Sequence, residues 1–152
     1  MTSDSLLTAR SAPLAPPVPL SKADYERLAE IRYLLRRFGA FSEAAARQAG
    51  LTAQHHQALL AIKGYPGKER VTVGELAERL GVRHHSVVGL ADRLASRGLV
   101  ERRPGDADRR QVLLELTPKA QALLLGLSLA HRDELRRLAP LLGPLLAQLQ
   151  GE

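Results

Sequence analysis

The spacing of apolar residues along the chain predicts a mainly helical protein. Near the N-terminus, four apolar residues recur at intervals of three and four, which is the period of one face of an α-helix. These residues are Leu28, Ile31, Leu35 and Phe38. Ser21 is a typical N-cap residue, with Asp24 in the first turn after it. The pattern predicts a first helix from about residue 21 to about residue 50.

Cap residues and glycines divide the middle of the chain into three further helices. Thr52 precedes a helix that we expect over about 53–63. Thr72 and Glu75 have the spacing of a capping box and predict a helix over about 73–80. Gly81 ends that helix, and another is predicted over about 84–97.

Two strands and a long helix are predicted in the last third of the chain. Residues 99–103 and 111–116 have strand composition and are separated by turn-forming residues, which indicates a hairpin. Thr117 followed by Pro118 begins a leucine-rich helix. We expect Pro140 to end it near residue 138, before a short last helix that reaches about residue 150. The predicted fold class is therefore mainly α with a small β-hairpin, an α+β protein.

Composition narrows the possible functions. The 152 residues include no cysteine, which excludes disulfides, thiolate zinc sites, cysteine nucleophiles and thiol-based sensing. A formal net charge of +6 permits nucleic acid or an anionic membrane as a partner. No apolar run approaches the roughly 18 residues of a membrane span, and no signal-peptide pattern is present. We expect a cytoplasmic protein without a membrane partner.

Residues 72–94 have the pattern of a helix-turn-helix. Ala77 is small where a second helix would cross closely, Gly81 allows the turn, and Val87 and Leu90 would pack on the first helix. Only the first two turns of such a recognition helix reach base edges. The candidates for base reading are His84, His85, Ser86, Val88 and Gly89.

The hairpin tip is rich in charge, and a hairpin that follows a helix-turn-helix is a wing. The tip carries Arg102, Arg103, Asp106, Asp108, Arg109 and Arg110. An arginine of a wing can enter the minor groove of DNA. We expect Asp108 to pair with a neighbouring arginine and to shape the tip. The full predicted DNA-binding set is Arg83, His84, His85, Ser86, Val88, Gly89, Arg93, Arg109 and Arg110.

Four segments resemble the multiple-antibiotic-resistance regulator (MarR) family of winged-helix transcription factors. They are LTAQHHQALLAI (51–62), GELAERLGV (74–82), LADRLASRGLVERR (90–103) and DRRQVLLELTPKA (108–120). The Asp-Arg-Arg wing followed by a strand and Leu-Thr is the most specific of these. By matching position, the resemblance makes Arg110 the minor-groove arginine and Asp108 its partner at the tip.

The resemblance implies a homodimeric transcriptional regulator that binds a palindromic operator, usually as a repressor. The terminal helices, about 21–50 and 118–150, would form the dimer, and residues of about 53–117 would form one winged helix-turn-helix per subunit. It also implies release from DNA by a small phenolic or lipophilic ligand. Two positions depart from the family pattern. Arg83 stands where a capping residue is usual, and Gly89 where a polar or basic reader is common.

The ends of the chain complete the predicted domain plan. Residues 1–20 are rich in proline and predict a disordered arm, followed by a single domain over 21–152. Leucines at intervals of four, three and four near the C-terminus predict an apolar face that a second subunit would cover. These are Leu138, Leu142, Leu145 and Leu149. The alternative is that they close the core of a single subunit.

Histidines and aromatic residues supply a candidate ligand pocket. The residues that could line it are Tyr33, Phe38, Phe41, His55, His56 and His131. The pairs His55-His56 and His84-His85 are a poor metal site, because adjacent helical residues project about 100° apart. No catalytic motif is apparent, so we expect neither a cofactor nor enzyme activity. Two alternatives to a ligand-released repressor stay open: a metal- or pH-responsive regulator, and a dimeric interaction adaptor without operator recognition.

Overall fold

Five helices and three short strands make up the described part of the chain. A computed structural model describes residues 18–149, so most of the predicted arm, residues 1–17, lies outside the described residues. The helices are α1 (Lys22–Gln48), α2 (Ala53–Lys63), α3 (Val73–Leu80), α4 (His84–Ser96) and α5 (Pro118–Ala147). The strands are β1 (Val71–Thr72), β2 (Val100–Pro104) and β3 (Val112–Leu116). This architecture confirms the predicted fold class.

The predicted cap residues begin four of these helices. The side chains of Ser21, Thr52, Thr72 and Thr117 each accept a hydrogen bond from the backbone amide three residues later. Such bonds satisfy amide groups that have no partner within the helix. The starts of these four helices are therefore set locally, which is why the sequence predicted them closely.

The prediction that Pro140 ends the last helix is wrong. α5 continues through Pro140 and Pro144 to Ala147. A proline fixes φ near the helical value and removes one amide donor. Both prolines lie on exposed positions of α5. Despite its many leucines, neither α5 nor any other helix within residues 18–149 has the length and apolarity needed to cross a bilayer.

The sheet contains one strand more than the predicted hairpin. Its order is β1-β3-β2, with both pairs antiparallel, and Val71 of β1 lies opposite Leu114 of β3. β1 has only two residues, too few for a strand pattern to be recognised in the sequence. α3 starts directly after β1, and β1 pairs with β3 of the wing. This pairing positions the helix-turn-helix relative to the wing.

The core lies between the helix-turn-helix, the sheet and the long helices. Its fully buried side chains include Leu59, Ile62, Leu76, Leu90, Leu94 and Leu114. α1 and α5 pack along each other in opposite directions. Arg27 near the start of α1 contacts Gln148 after the end of α5, while Ser42 contacts His131 in the middle of α5. The winged helix-turn-helix therefore projects from a two-helix stem.

Candidate DNA interface and ligand pocket

α3 and α4 form a helix-turn-helix. Gly81 joins them in the left-handed conformation with φ of 67°, which glycine adopts without steric cost. Ala77 is buried where the helices cross, and Val87 and Leu90 are buried on the inner face of α4. All of these residues were singled out from the sequence for these positions.

The first turns of α4 present the predicted base-reading residues to solvent. His84, His85 and Val88 are exposed, while Ser86 and Gly89 are partly buried. Arg83 occupies the N-cap position and makes no side-chain cap hydrogen bond, as its residue type predicts. A β-carbon on Gly89 would lie 3.4 Å from a guanidinium nitrogen of Arg93, so this arginine folds back along the helix over the glycine.

Two residues organise the wing tip. Asp108 Oδ1 accepts hydrogen bonds from the Arg110 backbone amide at 3.0 Å and from its Nε at 3.3 Å. Gly105 lies so close to the backbone that a β-carbon there would approach the Asp108 carbonyl oxygen to 2.5 Å. The Arg110 side chain nevertheless remains 92% exposed, and Arg109 is exposed beside it.

The recognition helix and the wing tip meet in one groove. This groove has a volume of about 440 Å³, and its lining includes His84 and Val88 from α4 together with Arg110 and Gln111 from the wing. The tertiary structure therefore brings together residues that are more than 20 positions apart in the sequence. Gln111 was not among the predicted residues, because nothing in its local pattern separates it from strand β3.

The other two arginines of the hairpin are held by carboxylates. Arg103 donates to Glu101 and Glu115, and Arg70 also pairs with Glu115, which together make an ionic network across one face of the sheet. Arg102 instead pairs with Asp92 of α4. Among the described residues, Arg83, Arg93 and Arg109 form no ion pair. These three arginines lie on the recognition helix, at its N-cap and at the wing tip, where a bound duplex would meet them.

A second candidate site lies where the helix-turn-helix meets the stem. Here His131 contacts Phe38 and Phe41 edge-on at 5.9 and 5.3 Å between ring centroids, and His56 at 4.6 Å. An adjoining cavity of about 450 Å³ is lined by Phe38, His56, Leu60, Ser128, His131, Arg132, Leu135, Arg136 and Ala139. Four of the six residues predicted for a ligand pocket therefore lie together.

Within this cluster, one buried histidine nitrogen has no hydrogen-bond partner among the described residues. The Leu127 carbonyl can only accept, so His131 Nδ1 donates to it at 2.7 Å, and in the neutral ring Nε2 then accepts from the Ser42 hydroxyl at 2.8 Å. His56 is 3% exposed, and its Nδ1 has no hydrogen-bond partner in the part of the chain that the structure describes. A buried polar atom without a partner is costly and calls for a ligand or water.

The remaining two pocket candidates lie elsewhere. Tyr33 is 49% exposed on α1, where the Arg37 guanidinium lies 5.8 Å from its ring centroid. His55 is buried, but its Nδ1 faces Arg97 Nη1 at 3.5 Å. Within residues 18–149, no group of three His, Asp or Glu side chains is arranged to hold a metal ion.

Comparison with known proteins places the chain in a family. A helix-turn-helix followed by an arginine-tipped hairpin is the architecture of a winged-helix DNA-binding protein. Residues 49–111 match the model of the MarR family. The chain is 30% identical to the HTH-type transcriptional repressor NicR of Pseudomonas putida over 110 residues, which span 70% of this chain and 68% of NicR. This protein belongs to the MarR family of DNA-binding transcriptional regulators, which are not enzymes.

Two further relatives extend the comparison. The chain is 36% identical over 72 residues to YfiV, an HTH-type transcriptional regulator of Bacillus subtilis, but spans only 45% of its length. Wild-type MarR from E. coli in its apo form is 26% identical, with a TM-score of 0.64 over 89% of this chain and 94% of that chain. A mutant of the same E. coli protein has been solved in complex with operator DNA, with a TM-score of 0.65 at 24% identity over 88% of this chain and 94% of that chain.

Proposed function

We propose that this protein is a homodimeric, sequence-specific regulator that represses transcription from a palindromic operator. The observation that carries the proposal is the groove in which the start of α4 meets the wing tip. His84 and Val88 face a bound duplex from α4, and Arg110 faces it from the wing. With α4 in the major groove, the wing arginine reaches the adjacent minor groove.

The relatives support the same assignment. NicR is named a transcriptional repressor, and E. coli MarR is a protein that binds operator DNA. The fold of E. coli MarR is similar to the fold that builds the groove here. The free arginines of this chain add an attraction for phosphate that weakens as salt rises.

A second copy of the chain is the partner that fits the stem. Apolar side chains remain exposed along both of its helices, including Tyr25, Leu28, Leu35, Leu141 and Leu146. Exposed apolar surface of this extent marks an interface. Two-fold symmetry would set the two recognition helices about 34 Å apart, one turn of DNA, which suits a palindrome.

Selection of bound duplexes from a random-sequence pool tests the DNA-binding assignment. We expect wild-type protein to enrich a palindromic motif, and Arg110→Ala to bind it more weakly by about 1–3 kcal/mol. Folding should be unaffected, because the Arg110 side chain is almost fully exposed. Arg103→Ala is the matched control, since Arg103 is engaged by Glu101 and Glu115. Full affinity of the Arg110 variant would refute the wing assignment, and a folded dimer that enriches no motif would favour the adaptor alternative.

The cavity beside His56 supports release by a small organic ligand. Its walls are mostly apolar, Arg132 and Arg136 add positive charge, and His56 adds a buried nitrogen without a partner. A phenolic acid matches these features with an aromatic body, a hydrogen-bonding group and a carboxylate. Because the cavity lies between the stem and α2, a ligand there can shift the spacing of the two DNA-binding lobes.

Thermal-shift measurements with a panel of phenolic acids test the ligand site. A compound that binds the folded protein raises its melting temperature with concentration. We expect Leu135→Trp, which fills the cavity, to abolish that shift, and Leu129→Trp, at an exposed leucine of α5 that does not line the cavity, to retain it. A shift that survives in the Leu135 variant would place the ligand elsewhere.

A further inference from the structure

Asp92 is the one acidic residue of the recognition helix. At 100° per residue, it lies on the same side of α4 as His85 and Gly89, opposite the buried face. Its side chain is 57% exposed. With the recognition helix in the major groove, a carboxylate on this side would repel nearby phosphates.

Arg102 reaches Asp92 because of the strand register. Antiparallel partners share a face of the sheet, and Arg102 lies opposite Leu114, which is fully buried. Arg102 therefore leaves β2 on the side where α4 packs, and its Nη1 donates to Asp92 Oδ1. The next residue, Arg103, leaves on the opposite face with Glu115. Of these two neighbouring arginines, only Arg102 stands beside the recognition helix.

The pair has two physical consequences. It links the wing strand to the recognition helix and so favours one arrangement of the minor-groove and major-groove contacts. It also engages a cation that would otherwise contact a phosphate next to the helix. An exposed ion pair of this kind is weak, so neutralising the carboxylate is enough to release the arginine.

We infer that Asp92 is a specificity-determining residue that holds Arg102 against the recognition helix and away from DNA phosphates. This inference rests on the proposed DNA-binding function. Non-specific complexes depend on phosphate contacts, so a released Arg102 strengthens them. Operator binding gains the same contact but loses the link between wing and helix. Loss of Asp92 therefore lowers the ratio of operator affinity to non-specific affinity.

Salt titrations with a random-sequence duplex and with the selected operator test the inference. We expect Asp92→Asn to bind the random duplex more tightly at low salt. Its plot of log affinity against log salt concentration should be steeper by about 0.9, the value for one additional phosphate contact. The double variant Asp92→Asn/Arg102→Gln should return to the wild-type slope. Asp133→Asn makes the same change of net charge on α5, beside Arg136, and should leave the slope unchanged.

The remaining outcomes separate this inference from the proposed function. If the slope of Asp92→Asn equals that of the wild type, Asp92 does not restrain Arg102. A steeper slope that persists in the double variant, or that Asp133→Asn reproduces, also overturns the inference, because charge alone then explains it. Wild-type protein that binds no duplex at low salt would instead refute DNA binding itself.

Discussion

His55 and His56 are neighbours in the sequence but lie in different surroundings. Burial lowers the pKa of His55, and the charges of Arg97 and Arg93 lower it further. Burial also lowers the pKa of His56, and His131 adds to this shift. Both imidazoles are therefore neutral in the folded protein at pH 7, and protonating either one works against the fold.

The first prediction is that acid destabilises the protein through His56. The unfolded chain binds a proton to this residue near pH 6.5, while the folded state resists protonation, so stability falls as pH drops below 6.5. One such group contributes at most about 1.4 kcal/mol per pH unit. Urea unfolding measures the free energy of unfolding at pH 7.5 and at pH 5.5. The decrease in this free energy between the two pH values should be smaller in His56→Leu than in wild type. His85→Leu, which replaces an exposed histidine, should behave like wild type, and equal losses in all three would contradict the prediction.

The Glu75 carboxylate accepts several hydrogen bonds at the start of α3. Burial raises the pKa of its carboxyl, but hydrogen bonds from Lys68, the Thr72 amide and Tyr65 outweigh burial and lower the pKa to about 2. The same carboxylate completes the capping box with Thr72. It therefore joins the loop before the sheet to the first helix of the helix-turn-helix.

The second prediction concerns removal of that carboxylate. We expect Glu75→Ala to lower the free energy of unfolding by about 1–2 kcal/mol, because a charged hydrogen-bond acceptor and a cap are lost together. For a chain of this size, each kcal/mol of lost stability lowers the melting temperature by roughly 2–4 °C. Glu78→Ala on the exposed side of α3 is the control. If both variants melt alike, the Glu75 contacts do not stabilise the fold.

Among the elements, the wing tip depends on a single glycine. Gly105 is buried, its amide donates to the Gln111 carbonyl at 2.9 Å, and the Gln111 amide donates to the Asp108 carbonyl at 3.0 Å. A side chain at Gly105 meets backbone, which cannot move aside as a flexible side chain can. The sequence placed this residue in the turn between the two strands. It did not reveal the close approach of the backbone that requires glycine there.

The third prediction is that Gly105→Ala impairs DNA binding without unfolding the protein. The added β-carbon displaces the Asp108 carbonyl and with it the anchor of Arg110. We expect a loss of operator affinity comparable to that of Arg110→Ala, measured by fluorescence anisotropy, with little change in melting temperature. Gly126→Ala in the first half of α5, where a β-carbon meets open space, should bind normally. Wild-type affinity in Gly105→Ala would mean that the tip tolerates rearrangement.

At the scale of the whole molecule, one face of α5 packs against α1 in the stem, and the faces on either side of it are exposed to solvent. Leu138, Leu142 and Leu145 are half-buried. They follow His131 on the face of α5 that meets Ser42 of α1. Leu141 and Leu146 lie to either side of this face and are 57% and 44% exposed. The predicted leucine face is thus partly buried within one chain, and its flanks remain exposed.

The fourth prediction follows from these flanks. The double variant Leu141→Glu/Leu146→Glu should change the protein from a dimer to a monomer of 16.6 kDa in light-scattering chromatography, because an interface does not bury unpaired carboxylates. Operator binding should be lost with the dimer. Leu125→Glu, at an exposed leucine in the first half of α5, should remain dimeric. A double variant that remains dimeric would place the interface elsewhere.

The sequence by itself determined the features that depend on a few consecutive residues. Cap residues and glycines set the helix ends, and the arginines at the hairpin tip marked the wing. Each of these signals acts through groups only a few positions apart, such as Thr72 and Glu75. The family resemblance also rested on such short segments, and the match over residues 49–111 confirms it.

Only the tertiary structure decided which side chains are free and which are engaged. Arg102 is held by Asp92, ten residues away, and the His131 bond to Ser42 joins residues 89 positions apart. Whether a histidine is buried beside an arginine or beside another ring depends on helix packing, which no local pattern encodes. The continuation of α5 past Pro140 was likewise seen only in the structure.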